Sequence, residues 1–439
     1  MTHSCDKIKV IKKDGQIIEG LLVPSSEGQI VTVKLSSGYN ICVDKKNIKD
    51  MQILKEFTKG EKACEVQLEP KIKQEKLSVK KNLPTIAVLH TGGTIASKVD
   101  YVTGGVIASY SAEDFVSMFP EVLSMANVQV KLVGQLMSED MRFTHYQLMA
   151  ETIHDEVKKG VQGIVIGHGT DTLGYTAAAL AFMLENIQIP VILIGAQRSS
   201  DRPSTDAALN LLCAVRFITQ TDFRGVAVCM HENMDDDTCV ILPACKTRKM
   251  HTTRRDAFRA VNDTPIARVS LAGDITFLQE NYYQPPKGET FKPLLKMEEK
   301  VGIIKTYPNF HPDIIEAFTK NNYKGLVLEA TGLGQAPTNI TENLPNYEAL
   351  KAFIRKGGIV VLTSQCVNGR VHPFVYTNCR RLVDIGVLFG EDMITETAYV
   401  KLAWLLGNFP SKAKELITKN LRGEISKRTQ IDYGKQPYP

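Results

Sequence analysis

Thr85–Ser97, TIAVLHTGGTIAS, is the stretch of sequence that decides the fold. Its apolar run Thr85–Leu89 has the length of a buried parallel strand and ends abruptly in a turn with two adjacent glycines. Such glycines let the backbone turn sharply and approach a ligand closely, because no Cβ stands in the way. The turn places the hydroxyls of Thr91 and Thr94 at the carboxyl end of a strand, where ligands gather in open α/β sheets. An ordinary strand-to-helix turn without chemistry is the alternative.

A second stretch of the same design is Gly163–Thr176. Its apolar run leads into GHGTDT and then into an alanine-rich segment that is typical of a helix. Glycines again bracket a turn, and the Thr170 hydroxyl stands beside the Asp171 carboxylate at the start of that helix. Asp171 could simply cap the helix, since carboxylates are common near helix N-termini. The repeated design favours two sets of reactive groups at one sheet edge.

The composition is that of a globular protein without a dominant charge. At 439 residues the chain is long enough for two or three domains, and 43% hydrophobic against 23% charged residues argues against wholesale disorder. The net charge of +5 permits contact with nucleic acid without demanding it. Nine scattered cysteines without a CxxC pair favour reduced thiols over a disulfide framework or a zinc site. With neither a secretory signal nor a run of membrane-spanning length, we expect a cytoplasmic location.

The first 54 residues have a different pattern of apolar and turn-forming residues from the rest of the chain. Short β-type runs alternate there with turn signals, which predicts a small all-β, barrel-like domain at 1–54. A docking module for protein or RNA and a passive stabilising appendage are equal interpretations of this domain. Residues 55–83 are rich in charges of both signs and are predicted to form a linker. The runs are Ile17–Val23, Ile30–Leu35 and Tyr39–Val43.

From Pro84 onward, strand-like and helix-like segments alternate, which predicts an α/β fold with a parallel sheet. We expect a larger domain at 84–262, a connection at 263–295, a smaller domain at 296–408 and a C-terminal tail at 409–439. Candidate strands are Ile86–Leu89, Val128–Val133, Gly163–Ile166, Val191–Ile194, Gly225–Cys229, Val301–Thr306, Gly325–Leu328 and Gly358–Leu362. Candidate helices are a run capped by Thr144, Thr172–Leu184, a segment opened by Pro203–Asp206, Pro312–Phe318, Tyr347–Ile354 and Glu396–Leu405.

Two further polar runs could take part in chemistry. Lys246–Arg255 is strongly basic, although most such runs are solvated faces, and Ser138–Met141 follows a strand where a polar loop is the default interpretation. A threonine hydroxyl attacks a carbonyl only with a base, which a Thr–Asp–Lys grouping can supply. Two hydroxyls could then face each other across an amide, with glycine N–H groups stabilising the oxyanion. The spacing supports acyl transfer from an amide, whereas the phosphate motifs GxxxxGKS/T and GxGxxG are absent.

The chain resembles the L-asparaginase/glutaminase type I family through TGGTIAS, SEDM, GHGTDTLGYTA and RKMHTTRRDAF, which occur in this order. The similarity runs from Pro84 to Asn408. It implies an asparaginase-like two-domain fold, with a larger α/β unit, a smaller Rossmann-like unit and active sites completed across a homodimer. It also implies amide hydrolysis without a bound metal.

Carried over residue by residue, the resemblance implies a first triad around Thr94. Thr94 would be the nucleophile, assisted by Tyr101 on the loop that follows. Gly93 would contribute its backbone to the substrate-binding turn.

A second group is implied at Thr170, Asp171 and Lys249, again as hydroxyl, carboxylate and lysine. Lys249 is preferred over Lys246 because of its spacing to the threonine pair that follows in the motif. Both groups are expected to act on the same bound amide.

The resemblance also implies how the substrate is held. Ser138 would bind the α-carboxylate, with Asp171 and Glu139 on the α-ammonium and Gly169 in the second substrate-binding turn. Glu139 stands where many members of the family have Gln.

The β-rich first domain, the tail and the RKMHTTRRDAF variant are similar to the asparaginase-like D subunits of archaeal-type glutamyl-tRNA(Gln) amidotransferases. That resemblance implies a chain without its own cofactor that hydrolyses L-glutamine. The ammonia would pass to the E subunit, which uses ATP and Mg²⁺ to convert Glu-tRNA(Gln) to Gln-tRNA(Gln). A stand-alone L-asparaginase/glutaminase with an appended domain is the alternative with the same chemistry. A non-catalytic binder of a nucleotide or an amino acid is the third interpretation.

Overall fold

The structure, a computed structural model, describes residues 6–23, 28–35, 40–56, 80–92, 97–99, 106–108, 120–198 and 204–429. The first sheet is antiparallel, with the strand order β4-β3-β2-β1-β5. Its strands are β1 (Lys7–Lys12), β2 (Ile17–Val23), β3 (Ile30–Lys34), β4 (Asn40–Asp44) and β5 (Ile48–Lys55).

The first sheet forms because apolar residues alternate along its strands and point to one face. Ile8 and Val10 of β1 and Val31 and Val33 of β3 are buried in one small core. The predicted all-β N-terminal unit is therefore confirmed, with β1 and β5 added to the three predicted runs. Most residues of the predicted loops between these runs, and most of the predicted linker at 55–83, lie outside the described residues.

The larger unit is built on an eight-stranded sheet of order β18-β17-β14-β13-β12-β10-β6-β9. Strands β9, β6, β10, β12 and β13 run parallel, and β14, β17 and β18 extend the sheet antiparallel. The strands of this unit are β6 (Thr85–His90), β7 (Ser97–Val99), β8 (Val106–Ala108), β9 (Asn127–Leu132), β10 (Gly163–Gly167), β11 (Leu184–Glu185), β12 (Pro190–Ile194), β13 (Gly225–His231), β14 (Thr238–Pro243), β15 (Thr247–Lys249), β16 (Phe258–Ala260), β17 (Ala267–Ser270), β18 (Ile275–Phe277) and β19 (Lys292–Pro293).

The smaller unit has a four-stranded parallel sheet of order β20-β21-β22-β23. Its strands are β20 (Val301–Lys305), β21 (Gly325–Ala330), β22 (Ile359–Ser364) and β23 (Leu388–Phe389). The α-helices of the described residues are α1 (Phe143–Lys158), α2 (Leu173–Met183), α3 (Ala207–Gln220), α4 (Pro312–Lys320), α5 (Leu344–Arg355), α6 (Thr377–Asp384), α7 (Thr395–Asn408) and α8 (Ala413–Leu416). All eight candidate strands are found within two residues of their predicted ends.

Three of the predicted helix starts differ from the structure by two residues or more. Helix α5 begins at Leu344 rather than at Tyr347, and the other two differences, in α1 and α3, accompany specific side-chain contacts. Helix α1 begins at Phe143 rather than after Thr144, because the His145 ring accepts a hydrogen bond from the Arg142 N–H at 3.0 Å and closes the first turn. Helix α3 begins at Ala207, and the preceding Asp206 accepts hydrogen bonds from the Gln197 and Arg198 N–H groups, which lie earlier in the connection between β12 and α3. In α1 and α3, the helix start thus depends on a side chain that bonds to the backbone of a residue three or more positions away.

The segment 263–295, predicted as a connection, contributes β17 and β18 to the larger sheet. These strands are short and antiparallel, so no helix separates them and the strand–helix alternation that guided the prediction is lost. The first strand of the smaller unit, β20, begins only after these strands, at Val301. The larger sheet is therefore wider than the sequence pattern indicated.

The start of the predicted C-terminal tail packs closely on both α/β units. Lys401 of α7 and Glu424 are both fully buried and form an ion pair with an N–O distance of 2.6 Å. Arg422 donates to the carbonyl of Ala181 at 3.1 Å, at the end of α2. Within the described part of the chain, no helix has the length and apolar character needed to cross a membrane.

Candidate active site

The two glycine turns lie next to each other at the carboxyl edge of the larger sheet. His90, the last residue of β6, pairs with Gly167, the last residue of β10. The Thr91 N–H donates to the Gly167 carbonyl at 3.1 Å, and Gly92 adopts a left-handed backbone with φ of +93°. The first turn therefore begins against the second.

Three predicted site residues belong to parts of the chain that are not described. Gly93, Thr94 and Tyr101 all lie outside the described residues. The roles implied for them remain predictions.

The structure brings Thr170, Asp171 and Lys249 into direct contact. The Lys249 ammonium donates to Thr170 Oγ1 at 2.9 Å and to Asp171 Oδ1 at 2.7 Å. Thr170 and Asp171 follow β10, whereas Lys249 ends β15, which is held by pairing with Phe258 of β16. The lysine and the threonine are 79 positions apart in the chain, so this contact is a product of the fold.

Burial within this group changes from one member to the next. Thr170 is 6% exposed, the Lys249 side chain 15% and the Asp171 side chain 64%. The lysine therefore connects a hydroxyl in the protein interior to a carboxylate that faces open space. A lysine placed in this way can exchange a proton with the hydroxyl, and the carboxylate remains accessible to a cationic group of a ligand.

Lys246, the other lysine of the motif, has a different partner. It is fully buried and pairs with the buried carboxylate of Asp392 at 2.8 Å. Because this ammonium is used in the contact between the two α/β units, it is not available to Thr170.

Ser138 lies against the second glycine turn. It is 4% exposed, and a Cβ placed on Gly169 would lie 2.8 Å from Ser138 Oγ, so only glycine permits this close approach. The Thr172 hydroxyl donates to the Ser138 carbonyl at 2.6 Å and fixes the short helical turn Ser138–Asp140. Glu139 of the same turn is exposed.

His168 supports the turn from inside, a role that the sequence analysis did not assign. Its Nδ1 donates to the Gly169 carbonyl at 2.7 Å, and its Nε2 accepts from the Thr176 hydroxyl at 2.9 Å. Complete burial lowers the pKa of His168 to about 4, against a smaller opposing effect of the Gly169 carbonyl. The ring is therefore neutral at neutral pH and acts as a fixed hydrogen-bonding bridge. The feature of the sequence that could have indicated this role is the position of His168 inside the motif GHGTDT.

Gly195, one residue beyond β12, forms the wall behind Thr170. A Cβ on Gly195 would lie 2.8 Å from the Thr170 methyl carbon, so the glycine backbone packs directly on the Thr170 side chain. Nothing in the predicted strand Val191–Ile194 marked the next residue for this role.

Arg248 connects the site to the smaller unit. Its guanidinium pairs with Glu396 of α7 at 3.1 Å. Tyr175 of α2 lies close to the same carboxylate; burial raises its pKa to about 12, and Glu396 adds to that rise. Among the described residues, no group of three or more His, Cys, Asp or Glu side chains is placed to hold a metal ion.

Family models match the chain in three consecutive segments. Residues 2–54 match the GatD N-terminal domain, residues 85–283 the N-terminal asparaginase domain, and residues 300–417 the glutaminase/asparaginase C-terminal domain. The glutamyl-tRNA(Gln) amidotransferase D subunit of Pyrococcus furiosus is 43% identical over 97% of this chain and 95% of its own length. The chain belongs to the glutamyl-tRNA(Gln) amidotransferase D-subunit family. A member from Methanococcus maripaludis is 42% identical over 94% of this chain and 96% of its own length.

Solved structures agree with this family at the level of the fold. The L-asparaginase of Thermococcus kodakarensis superposes with a TM-score of 0.68 and 29% identity, covering 78% of this chain and 99% of that one. L-asparaginase I of Vibrio cholerae gives the same TM-score, identity and coverage. The predicted asparaginase-like fold is therefore confirmed. Members of the D-subunit family are, as the name states, components of a heteromeric amidotransferase.

Proposed function

We propose that this chain hydrolyses L-glutamine and supplies the ammonia to a partner protein that amidates Glu-tRNA(Gln). The observation that carries the proposal is the contact of Lys249 with both the Thr170 hydroxyl and the Asp171 carboxylate. Membership of the D-subunit family supports glutamine as the ammonia donor, since a tRNA-dependent amidotransferase needs one. A stand-alone asparaginase would not require the N-terminal domain at 2–54.

The hydrolysis divides between two hydroxyl groups. A threonine hydroxyl attacks the side-chain amide carbon, the carbon–nitrogen bond breaks, and ammonia leaves once its nitrogen has been protonated. Water then cleaves the resulting ester. Thr94 is the proposed nucleophile, assisted by Tyr101, while Thr170, Asp171 and Lys249 transfer the protons. Backbone N–H groups of the turns that contain Gly93 and Gly169 stabilise the oxyanion.

The substrate's α-substituents are held at the exposed side of the same group. Ser138, buried against Gly169, is the proposed partner of the α-carboxylate. Asp171 and Glu139 are both exposed carboxylates and are the proposed partners of the α-ammonium. This arrangement selects an α-amino acid and directs its amide towards the buried Thr170.

The proposed assembly is a homodimer of this chain that binds the E subunit on its outside. The E subunit uses ATP and Mg²⁺ to activate the glutamyl group, and this chain needs no cofactor of its own. A cytoplasmic location follows from a substrate that is aminoacylated tRNA.

An ammonia-release assay tests the function. The purified chain should release little ammonia from glutamine, and adding the E subunit with Glu-tRNA(Gln) should raise the rate. Thr94→Ala and Thr170→Ala should each abolish release in the complete system. Rapid asparagine hydrolysis by the chain alone, unchanged by the partner, would favour the stand-alone enzyme instead.

A further inference from the structure

Thr170 owes its orientation to the backbone behind it. The Thr170 methyl carbon faces Gly195, where even a Cβ would approach it to 2.8 Å. The methyl and the hydroxyl of a threonine share one carbon, so a wall that fixes the methyl also fixes the direction of the hydroxyl. With the methyl against Gly195, the hydroxyl points to the Lys249 ammonium at 2.9 Å.

Gly195 is itself held by side chains. Its N–H donates to Met230 Sδ at 3.3 Å, and its carbonyl accepts from Asn210 Nδ2 at 3.0 Å. The residue stands just past β12, whose last pair with β10 is Ile194 with Gly167. Asn210 therefore fixes the backbone at a point where the sheet ladder has ended.

Asn210 has a single possible orientation. It is fully buried on α3, and its Oδ1 accepts from His231 Nδ1 at 2.7 Å and from the Cys239 thiol at 3.3 Å. Because the Gly195 carbonyl can only accept a hydrogen bond, the amide nitrogen must face it, which leaves the amide oxygen towards His231 and Cys239. Asn210 thus connects the core of the larger unit to the Gly195 backbone, which packs against Thr170.

We propose that Asn210 is a positioning residue for the Thr170 hydroxyl and acts through Gly195. The inference rests on the proposed function, because its main readout is glutamine hydrolysis. It assigns no contact with substrate to Asn210. Loss of the bond to Gly195 lets the wall move, which frees the Thr170 rotamer and misaligns the hydroxyl from Lys249.

Asn346 offers a matched control in the smaller unit. It is 2% exposed, and its Nδ2 donates to the backbone carbonyls of Phe310 and Pro337 at 3.1 and 2.9 Å. Asn346→Asp therefore makes the same chemical change to the same kind of buried bond, away from the site. Asn210→Ala is a second variant that removes the bond to Gly195 without adding a charge.

The experiment measures glutamine hydrolysis by the assembled amidotransferase together with the NMR signal of the labelled Thr170 methyl. Asn210→Asp and Asn210→Ala should lower kcat at least about 10-fold with KM within about twofold, since a misplacement of 1 Å can cost about 10²-fold. Both should shift the Thr170 methyl signal. Asn346→Asp should change neither reading. The double variant Asn210→Asp with Gly195→Ala should lower kcat by less than the product of the two single fold-decreases. Both changes act on the same contact, between the residue 195 backbone and the Thr170 methyl.

Three results would overturn the inference. One is a kcat for both Asn210 variants that matches that of Asn346→Asp. Another is an unmoved Thr170 methyl signal. The third is failure of both Asn210 variants to assemble while Asn346→Asp assembles, which would give Asn210 a purely structural role. An inactive wild-type complex would instead contradict the proposed function. The Thr170 methyl signal would still test whether Asn210 positions Thr170 through Gly195.

Discussion

Lys246 and Lys249 lie three residues apart, and each pairs with a carboxylate, yet their surroundings differ in every other respect. The Lys246–Asp392 pair spans 2.8 Å, with side chains 0% and 3% exposed. The Lys249–Asp171 pair spans 2.7 Å, with side chains 15% and 64% exposed. Nearly equal distances therefore accompany opposite uses: one pair joins two units of the fold, and the other stands open beside a reactive hydroxyl.

The comparison teaches that an ion pair is given its role by burial. Removing one partner of a buried pair leaves an uncompensated charge in the interior, which is strongly destabilising. An exposed pair contributes little to stability, because water screens the charges and solvates either partner alone. Substitutions in the Lys249–Asp171 pair should therefore change catalysis, and substitutions in the Lys246–Asp392 pair should change stability.

Among substitutions in the Thr170, Asp171 and Lys249 group, Thr170→Ala should have the largest effect on catalysis. We expect kcat for glutamine to fall about 10³- to 10⁴-fold, or about 4–6 kcal/mol in transition-state stabilisation, because the hydroxyl acts as part of a unit. Thermal stability should stay near that of the native chain. Thr170→Ser, which keeps the hydroxyl but loses the methyl that packs against Gly195, is the control and should lose much less activity than Thr170→Ala. A kcat for Thr170→Ala within tenfold of the native value would remove Thr170 from the chemistry.

Lys249→Met should also lower kcat, by about 10²- to 10⁴-fold, since general acid–base catalysis contributes on that scale. Its urea midpoint should change little, because the Asp171 carboxylate that loses its partner is largely exposed and is solvated by water. Steady-state kinetics and urea unfolding on the same preparation check both statements. A near-normal rate would show that the base is another group.

Lys246→Met should lower the free energy of unfolding by up to about 3–5 kcal/mol, because the buried Asp392 carboxylate then keeps, among the described residues, only the more distant Arg370 guanidinium as an ion-pair partner, 3.9 Å away. Urea unfolding measures the loss. The double variant Lys246→Met with Asp392→Asn should recover part of it, since residue 392 then carries no buried charge. If Lys246→Met were as stable as Lys249→Met, the contrast between the two pairs would fail.

His168→Gln should weaken the pH dependence of stability, the smallest of the four effects. The unfolded imidazole binds a proton below its ordinary pKa of about 6.5, whereas the buried ring, with a pKa of about 4, resists protonation. Stability is therefore lost as pH falls from about 6.5 to about 4, by up to about 3 kcal/mol from this group. Unfolding measured at several pH values should show a shallower dependence in the variant.

Exposed His372 supplies the control for this prediction. His372→Gln should leave the native pH dependence in place. Equal curves for His168→Gln and the native chain would mean that the buried ring does not resist protonation.

Much of the fold follows from local patterns in the sequence. The parallel strands β10 and β12 are short, continuous apolar runs that end at a glycine or directly before one, and such runs can be recognised without any knowledge of their neighbours. The segment 263–295 was not readable in this way. Its strands β17 and β18 are short, lie between Pro265 and Pro285, and are held in the sheet by tertiary pairing, β17 with β14 and β18 with β17.

The sequence by itself determined the apolar strands, the glycine turns after β6 and β10, and the placement of Thr170 and Asp171 at the end of one of them. These features depend on neighbours along the chain, so local composition specifies them. Only the tertiary structure decided which lysine meets Thr170, which is buried with Asp392, and which backbone stands behind the hydroxyl. Those contacts join residues far apart in the chain, and their strength depends on burial, which is a property of the packed molecule.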